Sequence, residues 1–127
     1  MSVIDRMQKT DAVTQEVGRQ AAERIVEVRE VFRTIDREIP IYVTKDANAR
    51  CDVPLGFVRL HDSAAAGAHT PTLPDPAAAT HDSASGVELS AVTETVIENY
   101  GICHAEREKL RSLQAWITAQ AEAWNQN

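Results

Sequence analysis

Apolar residues in the first third of the chain recur at alternating intervals of four and three. From Ala21 they run through Ile25, Val28, Phe32 and Ile35 to Ile39, the spacing of a coiled-coil seam. Charged residues of both signs, Glu23 to Arg37, fill the positions between, as in a solvated face crossed by ion pairs. Upstream the seam weakens: Asp11, Thr14 and Gly18 fall on its positions, and Val13 and Val17 are the residues able to drift in. Ser2 with Asp5 matches a helix N-cap, as do Thr10 and Asp11. Pro40 is expected to end the helix at Ile39, because a proline ring disfavours the α conformation of the residue before it.

The same alternation returns near the C-terminus. Leu89, Val92, Val96, Asn99, Cys103, Glu106, Leu110, Leu113, Ile117, Gln120 and Trp124 follow intervals of three and four. Ser85 with Glu88 has the spacing of a capping box at the start of this helix. Asn99 and Glu106 interrupt the apolar seam, as polar residues that set register do. Two helices with matching seams predict an antiparallel pair.

The middle of the chain follows neither period. Residues 39–44, "IPIYVT", have extended, β-branched character, and "KDANAR" reads as a turn. Pro54 is suited to the first turn of a short helix carrying Leu55, Phe57, Val58 and Leu60. Residues 63–85 are rich in Ala, Ser and Thr and contain Pro71, Pro74 and Pro76, the composition of a tether. The chain therefore divides into an N-terminal coiled-coil helix (1–39), a junction (40–62), a tether (63–85) and a C-terminal helix (86–127). The predicted fold is all-α: two long helices in an antiparallel coiled-coil-like hairpin with an irregular, Pro/Ala-rich connection.

Composition narrows the function. Of 127 residues 43% are hydrophobic but only 5% aromatic, so apolar area per residue is small and a thin helical assembly completed by a partner is expected. The net charge of −6, with both signs interleaved, provides no basic stripe for a nucleic acid. No run is long enough to span a bilayer, and the first residues lack the pattern of a signal peptide. His61-Asp62, His81-Asp82 and Cys103-His104 are the groups that suggest chemistry. Adjacent side chains on a helix diverge by about 100°, and no further ligand pair has fixed spacing, so no metal site is expected. With no phosphate-binding loop and no nucleophile elbow, neither catalysis nor a cofactor is expected.

Cys51 and Cys103 have two readings. In a reducing compartment they are inert thiols; in an oxidising one they pair, closing a loop for on the order of 4 kcal/mol. Trp116 and Trp124, with Leu113 and Ile117, either pack in the helix pair or anchor a partner.

Residues 54–62, "PLGFVRLHD", the tether after them, Asn99-Tyr100 with Cys103-His104, and Leu113-Gln114 with Trp116 together resemble the periplasmic part of phage inner-membrane spanins, the Rz-like lysis proteins. The resemblance covers about residues 39–120. It implies a protein without covalent chemistry that acts at the last step of host lysis. Its ectodomain would engage an outer-membrane spanin lipoprotein, and helix rearrangement would disrupt the outer membrane by fusion or rupture. It also implies a periplasmic location and a Cys51–Cys103 disulfide; a homo-oligomer is expected of the helical chain, and most directly on the competing reading. Such proteins carry an N-terminal membrane anchor; this chain has none, so it would reach the inner membrane only through one upstream. The competing reading is a soluble structural coiled-coil protein of a virion or assembly complex, cytoplasmic and with reduced thiols.

Overall fold

The computed structural model describes residues 1–67 and 73–126. The chain is all-helical, and no strand occurs among the described residues. It divides into two compact units, Met1–Asp36 with Ile97–Asn127, and Arg37–Val96.

The first unit is a hairpin of two long helices, α1 (Val3–Tyr42) and α4 (Leu89–Asn125), each continuing into the second unit. Ser2 and Asp5 cap α1 reciprocally: the Asp5 amide donates to Ser2 Oγ at 3.1 Å and the Ser2 amide to Asp5 Oδ2 at 3.2 Å. These bonds hold the Asp5 carboxyl below its ordinary range. Arg19 bridges Glu16 and Glu23 along the solvent side, lowering the Glu16 carboxyl. Val13, Val17, Ala21, Ile25, Val28 and Phe32 are half-buried, so the two upstream valines do drift into the seam. Ile35 is exposed.

The face of α4 that meets α1 is not its three-four apolar seam. It is centred on small residues, with Gly101 against the Phe32 ring and Ala105, Ser112 and Ala123 buried, and is flanked by larger ones such as His104 and Trp116. Small side chains let helix axes approach closely. A Cβ on Gly101 would stand 3.1 Å from Phe32 Cγ, which makes glycine the fitting residue there. Ser112 Oγ is buried without a hydrogen-bond partner.

The second unit departs most from the sequence reading. α1 runs through Pro40 to Tyr42, so residues 39–42 are helical rather than extended. The Val43 amide still reaches the Ile39 carbonyl at 2.8 Å, and Ile39 is buried. A proline in the final turn removes one bond, and that cost does not stop the helix. "KDANAR" is a helix, α2 (Lys45–Arg50), capped by Thr44. The helix after Pro54, α3 (Leu55–Ala66), extends past the expected junction and ends at Gly67, φ +60°.

The tether is partly folded. A 3₁₀ turn spans Ala79–Asp82, and its exit is fastened to the start of α3. The Leu55 amide donates to Ser83 O at 2.7 Å and the Ser85 amide to Val53 O at 3.0 Å. Pro71 lies outside the described residues. α4 begins at Leu89 rather than beside Ser85. Its first turn is capped by Asn48, whose Oδ1 accepts from the Ser90 amide at 2.8 Å while Nδ2 donates to Ser90 Oγ at 2.8 Å.

Candidate functional site

The exposed apolar face of α4 in the first unit is the strongest candidate. At 100° per residue, Cys103, Glu106, Leu110, Leu113 and Ile117 form a stripe about 135° around the helix from the small residues that meet α1. Leu110, Leu113 and Ile117 are 56%, 53% and 56% exposed. From Cys103 to Ile117 the seam predicted to hold the hairpin therefore points away from it, whereas its next member, Gln120, reaches α1. The outer face of α1 carries no comparable stripe: Val26 is exposed there among Gln15, Arg29 and Arg33.

The four residues singled out as partner anchors have two environments. Leu113 and Ile117 stand free on the stripe. Trp116 is half-buried and donates from Nε1 to Thr14 Oγ1 at 2.9 Å, so it belongs to the hairpin. Trp124 is 43% exposed, with the Arg6 guanidinium 5.5 Å from its ring centroid.

Sequence reasoning missed the polar clasp beside Trp116. Gln120 Nε2 donates to Thr14 Oγ1 at 2.7 Å and to the Thr10 carbonyl at 2.9 Å. Thr14 Oγ1 in turn donates to the Thr10 carbonyl at 3.1 Å. These bonds fix the register of α1 against α4. The one available signal was Gly101, since an isolated glycine in a helical pattern marks a close approach.

The stripe is mixed in charge. Glu106 sits between Cys103 and Leu110, paired to Lys109 Nζ at 2.9 Å, and Arg107 is exposed beside it. His104, adjacent to Cys103, turns inward and stacks on Phe32 with centroids 5.5 Å apart. Cys103 is an exposed free thiol in the first unit and Cys51 a half-buried free thiol in the second; no disulfide joins them in this structure.

In the second unit, Val87, Val92 and Val96 form a cleft with Phe57, Val58 and His61 of α3; Leu89 is half-buried. His61 stacks on Phe57 and faces Asp62 Oδ1 at 3.1 Å. His81 is more constrained. Its Nδ1 lies 3.3 Å from Arg59 Nη1, which can only donate, so Nδ1 accepts and Nε2–H donates to the Asp75 carbonyl. Both histidines thus serve local structure.

No cluster that would hold a metal occurs among the described residues, and no helix there is long and apolar enough to cross a membrane. No protein-family model, curated protein or solved structure matches the chain.

Proposed function

We propose that the chain is the periplasmic part of a phage inner-membrane spanin that captures an outer-membrane lipoprotein during host lysis. The observation that carries this reading is the conjunction of the residue 54–62 block and the Cys103-His104 helix with a two-helix hairpin whose apolar stripe stands uncovered. Leu113, Ile117 and Trp124 are the anchors offered to a lipoprotein segment, since exposed large apolar residues at a helix end suit partner binding. On this reading Cys51 and Cys103 are joined in the oxidising periplasm, which mass analysis of periplasmic material checks.

The free thiols equally suit a soluble coiled-coil component of a virion or assembly complex. Reading the genome on both sides of the coding frame separates the two. An in-frame apolar segment ahead of residue 1 and a neighbouring short frame with a lipobox are expected, and the purified chain should capture the ectodomain of that lipoprotein. Absence of such a frame, or failure of capture, sinks the lysis reading.

A further inference from the structure

In the second unit, α3 carries a charge that the protein does not pair. Arg59 is half-buried, and its Nη1 donates to Thr80 Oγ1 at 2.8 Å and to His81 Nδ1 at 3.3 Å. These bonds occupy Nη1 alone and leave Nε and Nη2 without an acceptor. No carboxylate among the described residues is within ion-pair distance of Arg59. The nearest acids in sequence and across the groove are directed elsewhere: Asp62 faces His61, and Asp75 accepts from the Ala77 amide at 3.0 Å. A guanidinium partly withdrawn from water is stabilised by an anion on its remaining N–H groups.

An apolar groove adjoins this charge. Gly56 and Leu60 of α3, Leu73, Pro74 and Pro76 of the tether, and His81 line a space of about 510 Å³, within the range of roughly 300–1,000 Å³ that small-molecule clefts occupy. Leu60 is 57% and Leu73 64% exposed, so the groove has two leucines largely uncovered. Its wall is held in place by close packing, since a Cβ on Gly56 would stand 2.9 Å from His81 Cβ. His81 is both a wall of the groove and an acceptor for Arg59, which sets the unpaired charge beside the apolar space.

We propose that Arg59 and this groove bind a singly charged amphiphile, a medium-chain alkyl carboxylate. The parallel N–H bonds of Nε and Nη2 match the two oxygens of a carboxylate, and the alkyl chain lies along Leu60, Leu73 and the prolines, where each buried methylene adds to affinity. A phosphate ester is disfavoured. Asp75 lines the groove and Asp82 follows His81 in the 3₁₀ turn, so a second negative charge on the ligand is repelled by both. The site lies within the second unit, apart from the α4 stripe, and does not depend on capture of a lipoprotein.

The test is titration of the purified, isotope-labelled chain with octanoate, read by NMR, with acetate, octanol and octyl phosphate for comparison. Octanoate should saturate with shifts at Leu60, Leu73 and His81, and should bind about tenfold more tightly than octanol. Acetate, which lacks the chain, should bind at least about 100-fold more weakly than octanoate. Arg59→Gln should abolish the preference for octanoate over octanol. Because Arg59 also fastens the turn, Leu73→Asn is the second variant; Leu73 takes no part in the bonds that hold the turn to α3. It should weaken octanoate about tenfold while exchange of the Leu55 and Ser85 amides stays slow. The proposal is overturned if octanol binds as tightly as octanoate, or if octyl phosphate binds more tightly. It is equally overturned by shifts confined to Leu110, Leu113 and Ile117, or by no saturation below about 5 mM.

Discussion

The two compact units of this protein are held together by different means. In the hairpin, α1 and α4 meet through small residues and half-buried apolar ones repeated along the helices, with the polar clasp of Thr14, Trp116 and Gln120 as a local exception. The second unit relies on individual hydrogen bonds between residues distant in sequence, such as Asn48 to Ser90 and Leu55 to Ser83. A repeated contact is tolerant at most positions and intolerant where the backbones come closest. A unit built from single bonds concentrates its stability in a few residues.

The largest expected effect is at the point of closest approach. Gly101→Leu forces a side chain into the Phe32 ring and should lower hairpin stability by about 3 kcal/mol, read as the midpoint of urea unfolding. Gly18 is also within α1 but has nothing near its absent Cβ, so Gly18→Ala should stabilise by about 1 kcal/mol. Equal effects at the two glycines would break the contrast.

Asn48→Ala removes the cap on α4 and should cost about 1–2 kcal/mol, seen as faster hydrogen exchange of the Ser90 amide. Exchange within the hairpin around Ser112 should be unaffected if the second unit depends on its own bonds. Ser112→Ala has the opposite sign: it removes a buried, unpartnered hydroxyl and should stabilise the hairpin by about 1 kcal/mol.

The smallest effect is at the start of α1. The Asp5 carboxyl is held low by its bonds to Ser2, so its contribution is present above the ordinary carboxylate range and is lost as pH falls through its lowered value. Acid should fray the first turn, and Ser2→Ala should weaken that pH dependence without removing it, since the amide of residue 2 still donates to Asp5 Oδ2, as measured by exchange of the Arg6 amide against pH.

The same contrast explains what could be read from the sequence. Two long helices and the half-buried seam of Ala21, Ile25, Val28 and Phe32 were legible because periodicity is a local signal. The direction in which α4 faces was not. Its larger apolar residues mark a seam, but the Thr14 clasp and the space left by Gly101, Ala105 and Ser112 turn the opposite face toward α1. In the second unit "KDANAR" reads as a turn by composition, yet Thr44 caps it into a helix. Ser85 and Glu88 had the spacing of a cap, while the actual cap comes from Asn48, 42 residues before Ser90. Of the candidate residues, Trp116 required knowledge of Thr14, 102 positions away.

α4 carries a row of small residues against α1 and an exposed apolar row on one backbone, and both share a single phase. Inserting one residue after Cys103 would rotate everything downstream by about 100°, removing the small row from α1 and the apolar row from its exposed position together. An insertion of seven returns both to within about 20°. The length of this helix is therefore constrained as a repeat is, able to change in heptads but not in single residues.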